Sequence, residues 1–208
     1  MPAATAAATT ERLAAALAGS GYALEPAFLS PDSVAALVAT MRTRDAAGEF
    51  HEAGIGVGTA RMVRPNVRGD RICWLDAPGA PSEQPLLARL EALRLGLNRT
   101  LMAGLQTLEV HYANYAAGRR YVRHLDRSPR GIERVVTIVL YLNAGWGPDD
   151  GGELVISAPD GAVVVAPQAG TLVAFMSARF EHEVRAARRE RLSITGWYSR
   201  RVLAQVDA

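Results

Sequence analysis

The chain has 208 residues, 49% of them hydrophobic and 21% charged, with a formal net charge of +2. That length suffices for one large domain with a core of its own, and a charge so close to balance argues against the basic patchwork of a nucleic-acid binder. The one cysteine, Cys73, excludes an internal disulfide and suits a reducing cytoplasm, and no apolar run reaches the ~18 residues of a membrane span.

The Ala-rich start, MPAATAAATTERLAAALAGSG, lacks a basic n-region, so no signal peptide is expected. Residues 1–10 are expected to be disordered. A helix should follow, with Thr9 or Thr10 as its N-cap, Leu13 and Leu17 on one face, and Gly19 or Gly21 as its stop. YALEPAFL predicts a short strand. Ser30 and Pro31 form a cap and first-turn pair for a second helix, with Val34, Leu37, Val38 and Met41 at helical spacing and an end near Gly48. A Gly-rich stretch follows, with a mobile loop over 53–67 and a strand around Ile72–Leu75. A third helix is predicted over 83–104, with Leu86, Leu90, Leu93, Leu97 and Leu101 in register and Gly96 as a weak point.

From residue 107 the period becomes strand-like. Candidate strands cover 107–113, 120–124, 134–142, 153–157, 162–165, 171–176, 181–185 and 191–199. Helices followed by strands imply an α+β fold. Eight short strands suit a double-stranded β-helix, the jelly-roll or cupin-like barrel. The expected layout is a helical support layer with a substrate loop over 11–106, a catalytic core over 107–201 and a tail over 202–208.

The chemistry concentrates in YVRHLD and FEHEVRAARRERLSITGWY. Residues i and i+2 of a strand share a face, so His124 and Asp126 can reach one metal from a strand end or the turn after it. His182, from a distant strand, completes a 2-His-1-carboxylate set that leaves coordination positions open, the pattern of a non-haem iron(II) oxygenase. H-x-D alone is a common coincidence. Its companion is Arg191, nine residues past His182 and on one strand face with Ser193, Thr195 and Trp197. A guanidinium carries a permanent charge and pairs with a carboxylate through two parallel hydrogen bonds. Buried in a barrel it needs an anion. That anion is the dicarboxylate cosubstrate 2-oxoglutarate or, on the competing account, an internal Asp or Glu.

These motifs resemble the prolyl 4-hydroxylase superfamily of iron(II)/2-oxoglutarate dioxygenases, and more narrowly the bacterial relatives of the hypoxia-inducible-factor prolyl hydroxylases. The similar strings are YANYAAGRRYVRHLD, RVVTIVLYLNAGWGPDDGGELVI, APQAGTLVAFMSARFEHEV, RRERLSITGWY and, upstream, VRGDRICWLD. The resemblance spans residues 107–199 and, in part, 20–106. It implies a catalytic set of His124, Asp126, His182 and Arg191, the first three as iron ligands. Arg191 and Tyr141 would hold the far carboxylate of 2-oxoglutarate, with Tyr115, Tyr121, Val139, Leu154, Val184, Thr195 and Trp197 along its pocket. Dioxygen is the second cosubstrate and ascorbate a reductant. YAAGRRY is one residue shorter than in the animal enzymes, so Tyr141 is the firmer assignment of the two tyrosines.

By the same resemblance the substrate is a proline in a peptide or protein, with a translation elongation factor as candidate and neither nucleic acid nor membrane as partner. Arg68, Asp70, Trp74 and Arg134 would face it; a turn with its own ion pair is the competing account of Arg68 and Asp70. His51 and His111 are read as surface or loop histidines, and Arg185, Arg188 and Arg189 as a solvated hairpin. The alternative functions are hydroxylation of a free amino acid or small metabolite, and a non-catalytic module that senses 2-oxoglutarate or oxygen.

Overall fold

The computed structural model describes residues 3–56, 62–76, 79–126 and 131–202. Its elements are α1 (Ala3–Gly19), β1 (Tyr22–Glu25), α2 (Pro31–Ala46), β2 (His51–Glu52), β3 (Asp70–Trp74), α3 (Gln84–Leu101), β4 (Thr107–Tyr115), β5 (Tyr121–His124), β6 (Ile132–Tyr141), β7 (Leu154–Ala158), β8 (Gly161–Val165), β9 (Leu172–Met176), β10 (His182–Val184) and β11 (Arg191–Arg201). The strands form two antiparallel sheets. The major sheet runs β1-β9-β6-β11-β4-β3-β2 and the minor sheet β5-β10-β7-β8. All eight strands expected after residue 107 are present, and the two sheets make the jelly-roll core.

The major sheet is buried on both faces, which is why its central strands read as nearly unbroken apolar runs. On β6, Val136, Ile138 and Leu140 pack with Leu37 of α2 and with Leu13, Leu90 and Leu97 of α1 and α3. Val139 and Tyr141, one residue out of phase, face the barrel interior with Leu154, Ile156 and Phe175. On β11, Leu192, Ile194 and Tyr198 go to the helices, while Arg191, Thr195 and Trp197 go to the cavity. The strand period of two thus sorts core residues from site residues.

The N-terminal part departs from expectation. Residues 3–9 are helical rather than disordered, and Thr9 and Thr10 lie within α1 instead of capping it. Alanine is the strongest helix former, so the Ala-rich run carries the helix past two residues whose local preference is to cap. Besides its helices the segment 11–106 supplies three strands to the major sheet: β1 on one edge and β3 on the other, where strands were expected, and the two-residue β2 beyond β3. The second helix begins as expected, with the Ser30 hydroxyl accepting the Ser33 N–H at 3.2 Å. The third ends at Leu101 rather than 104. Met102 turns left-handed, and the Asn98 side chain takes both the N–H and the carbonyl of Leu105.

Gly96 has a packing role. A methyl group there would overlap the Thr10 side chain, so the glycine lets α1 and α3 approach closely. Of the predicted loop over 53–67, Ile55 and Met62 pair through both backbone N–H groups at 2.8 Å; residues 57–61 lie outside the described residues. Among the described residues no helix is long and apolar enough to cross a membrane.

Candidate metal centre and active-site cavity

Strand register assembles the ligand set. His182 of β10 stands directly opposite His124 of β5, and Asp126 follows the end of β5. The candidate ligand atoms of the three residues lie within 4.8 Å of one another. Nε2 of His124 is 3.8 Å from Oδ1 of Asp126, and Nε2 of His182 is 3.8 Å from its Oδ2.

Backbone carbonyls fix both imidazoles. Nδ1 of His124 lies 2.9 Å from the Val122 carbonyl, and Nδ1 of His182 lies 3.2 Å from that of Phe180. A carbonyl only accepts, so each Nδ1 carries the proton and each Nε2 lone pair turns toward the shared centre. Tyr121 stacks on His124 with ring centroids 3.6 Å apart, and Phe175 meets His182 edge-on. Burial, followed by the neighbouring His182, pushes the His124 pKa down to about 4, so its ring is neutral and ready to ligate near pH 7.

Asp126 is held by the opposite sheet. Its Oδ2 accepts 2.6 Å from Thr137 Oγ1 and 2.9 Å from Trp197 Nε1. Thr137 and Trp197 are register partners on β6 and β11, so one cross-strand pair supplies both donors. Burial by itself would raise the Asp126 pKa. His182, the two donors and His124 outweigh it and hold the carboxyl below its ordinary value. Two imidazoles, one carboxylate and an outer shell of fixed hydrogen bonds are the donor set of a divalent-metal site with open positions.

The cavity above the triad measures about 680 Å³, within the range typical of small-molecule sites. Tyr115, Tyr121, Val139, Leu154, Val184, Arg191, Thr195 and Trp197, the residues that the resemblance puts along the cosubstrate pocket, all line this cavity. Tyr141 does not; it is buried beside Arg191, whose guanidinium carbon sits 5.1 Å from its ring centre.

Arg191 is 1% exposed. Its Nε donates to the Gly152 carbonyl at 2.8 Å and its Nη1 to Ser193 Oγ at 3.4 Å. Nη2 has no partner, and neither has the buried Tyr141 hydroxyl. Burial pushes the Tyr141 pKa up to about 12, against the pull of Arg191, so the phenol stays protonated and can donate. Among the described residues no Asp or Glu pairs with Arg191, which removes the internal ion pair as its explanation. Gly152 makes the geometry possible. Its φ of +73° disfavours side chains, and a Cβ there would crowd Ala187, Trp146 and Arg191. Two adjacent unsatisfied donors in a buried wall fit a carboxylate.

The four residues expected to face substrate also lie on the cavity. Arg68 and Asp70 are bonded to each other through two contacts of 2.8 and 2.9 Å, so the ion pair is present and the Asp70 carboxylate is engaged within the protein. Trp74 is 37% exposed, and Arg134 lies over the Trp197 ring at 3.6 Å.

His111 is the main correction. It is neither a surface nor a loop residue but sits in β4, 1% exposed, between the rings of Trp74 and Trp197 on the cavity wall. β4 runs through the middle of the fold, and residue 111 shares its inward face with Ala113 and Tyr115. Neither ring nitrogen has a hydrogen-bond partner. Burial, with Arg68 next, pushes its pKa down to about 3. Thr137 and Gly152 are not among the residues that the motifs single out, and Ser193 is placed on the right face without a role. Thr137 lies on the inward face of β6, where the alternation argument reaches it as it reaches Ser193 on β11. Gly152 acts through a loop carbonyl and leaves no such signal.

Comparison with known proteins agrees with this geometry. Residues 110–199 match the family model of the 2OG-Fe(II) oxygenase superfamily. The crystal structure of a prolyl-4-hydroxylase from Pseudomonas putida is 42% identical, with a TM-score of 0.84, over 93% of this chain and 100% of that one. A Trichoplax adhaerens prolyl hydroxylase, in complex with a hypoxia-inducible-factor oxygen degradation domain peptide, is 26% identical over 94% of this chain and 90% of its own, also with a TM-score of 0.84. A PKHD-type hydroxylase of Maricaulis maris is 27% identical over 154 residues, which cover 72% of this chain and 66% of that relative. The chain thus spans slightly less than two thirds of the Maricaulis protein's length. The fold and the donor set define a non-haem iron oxygenase. The chain belongs to the 2OG-Fe(II) oxygenase superfamily.

Proposed function

We propose that the protein is a prolyl 4-hydroxylase that uses iron(II), 2-oxoglutarate and dioxygen to hydroxylate a proline in a peptide or protein. The observation that carries this is one cavity with His124, Asp126 and His182 on one side and the unpaired donors of Arg191 and Tyr141 in and behind its wall. The 42% identity to the Pseudomonas putida prolyl-4-hydroxylase supports the substrate class.

His124, Asp126 and His182 would hold the metal. Arg191 would take the far carboxylate of 2-oxoglutarate through Nη2, with the Tyr141 phenol as second donor. Bound iron(II) and 2-oxoglutarate supply the oxidation of a substrate C–H bond by dioxygen, with succinate and carbon dioxide released. The chain's own part is positioning and exclusion of water. Thr137 and Trp197 fix the Asp126 carboxylate, while Val139, Leu154 and Val184 keep the inner wall apolar. Trp74, Arg134 and the Arg68–Asp70 pair would shape the side on which the peptide enters. The reductant is ascorbate, and an elongation factor is the candidate protein substrate. The single cysteine, buried and unpaired, suits a cytoplasmic location.

The test is succinate release from anaerobically loaded protein once oxygen is admitted, with and without proline-containing peptides from elongation factors, the peptides being read by mass spectrometry. Peptide-stimulated succinate and a gain of one oxygen on proline are expected. Succinate with no peptide effect would keep the oxygenase and reject this substrate. Metal and cosubstrate binding without succinate would point to a sensing module.

A further inference from the structure

The cavity mouth has a charge asymmetry that the metal chemistry does not require. Two segments, 62–69 (MVRPNVRG) and 116–125 (AAGRRYVRHL), reach it through Val67, Arg68 and residues 121–125, and between them they carry five arginines and no Asp or Glu. The backbone joins them. Gly69 N–H donates to Arg120 O at 3.0 Å, Val122 N–H donates to Val67 O at 2.9 Å, and Arg68 bridges to Tyr121. The Arg119 side chain lies along Gly69, where a Cβ would come within 3.1 Å of it. Arg123 shares the strand face of Tyr121, and both line the cavity.

Arg68 is committed to Asp70. The other four, Arg64, Arg119, Arg120 and Arg123, are exposed and enter none of the ion pairs found among the described residues. Elsewhere Arg42 has Glu190, Arg189 has Asp150 and Arg200 has Glu133, while the exposed Arg99, Arg179, Arg188 and Arg201, which also enter none of these pairs, are scattered along the chain and lie on neither segment. Of the acids on or beside the cavity, Asp70 is held by Arg68, Glu109 lies beside Arg134 at 3.8 Å and Asp126 is among the ligands. Among the described residues, a chain whose net charge is only +2 thus has four exposed arginines without an acid partner on two hydrogen-bonded segments beside its site.

Like charges held together on one surface repel, and a cleft lined by one sign attracts the other. Guanidinium forks match carboxylates in pairs. We infer that the mouth binds an acidic stretch of polypeptide, so that the target proline is flanked by Asp and Glu; this rests on the prolyl hydroxylase assignment above. A polypeptide is favoured over a nucleic acid because the arginines are gathered on two segments beside the cavity and are not spread over an extended face.

The experiment is fluorescence anisotropy on the full chain, loaded with Mn(II) and 2-oxoglutarate. Two labelled peptides share one central proline, flanked either by Asp and Glu or by Asn and Gln. The acidic peptide should bind about tenfold tighter at low salt, and the gap should close toward about 0.5 M NaCl as screening shortens the reach of the charges. In R119E/R120E the preference should vanish while the neutral peptide binds as before and the melting temperature holds. Equal affinities, no response to salt, or tighter binding of a short oligonucleotide than of the acidic peptide would overturn the inference. The same peptides are then offered to iron-loaded protein in air. An acidic peptide that binds but gains no oxygen would leave the surface standing and reject the prolyl hydroxylase assignment.

Discussion

The indole of Trp197 donates a 2.9 Å hydrogen bond to Oδ2 of Asp126, across the barrel from the strand that carries His124. With the 2.6 Å bond from Thr137, it occupies the oxygen that would otherwise rotate freely and leaves Oδ1 for a metal. Removing such a bond typically weakens metal binding about 10–100-fold. Trp197→Phe and Thr137→Val are each expected to raise the dissociation constant for Mn(II) by that order, with the fold intact by circular dichroism. Unchanged metal affinity in both variants would mean that Asp126 is oriented by something else.

Arg191 and Tyr141 are expected to govern 2-oxoglutarate differently. Arg191→Lys keeps a charge but loses the fork and the Nε bond to Gly152. A hydrogen bond to a charged group is worth about 1.5–3 kcal/mol, so cosubstrate affinity should fall on the order of tenfold to a hundredfold. Tyr141→Phe removes one donor and should cost less than tenfold. Quenching of tryptophan fluorescence by 2-oxoglutarate measures both. Equal effects of the two variants would place the carboxylate elsewhere.

Strand alternation makes much of the site legible in the sequence. Once β11 is placed, Arg191, Ser193, Thr195 and Trp197 have to share a face, and the metal triad follows from residue types that together make a divalent-metal ligand set. Where sequence and structure part, two physical signals compete. Thr9 and Thr10 have side chains that cap helices, but the surrounding alanines favour continuing one, and the alanines prevail. Residue type alone makes His111 look like a surface histidine, although its parity with Tyr115 on β4 points it inward. Contacts such as Arg191 with the Gly152 carbonyl depend on how a loop folds back over the sheet, and no local pattern encodes that.

Gly96 gives a stability test that runs against helix propensity. In an exposed helix interior, Gly→Ala stabilises by about 1 kcal/mol. Here the added methyl would overlap the Thr10 side chain in the α1–α3 contact, and overpacking of that kind costs about 1–3 kcal/mol. Gly96→Ala should therefore lower the urea midpoint, and Thr10→Ala in the same chain should restore most of the loss. A higher midpoint in the single variant would show that α1 yields readily.

His111 should make the metal-free protein sensitive to acid in a definite window. Its folded pKa, about 3, lies below the ordinary value of 6.5 because burial disfavours the charged ring. Between those two values the unfolded chain binds a proton that the folded chain refuses, so stability falls as pH drops from about 6.5 toward 3. One such group contributes a slope of up to about 1.4 kcal/mol per pH unit. His111→Leu removes that proton together with two buried nitrogens that lack partners. Urea unfolding of the metal-free chain at a series of pH values between 7.5 and 4.5 should give a shallower acid limb for the variant and no loss of stability at neutral pH. The His124 ring, whose folded pKa is also depressed, titrates in both proteins and cancels in the comparison. Identical limbs would show that the cavity opens far enough for water to reach the His111 ring before the chain unfolds.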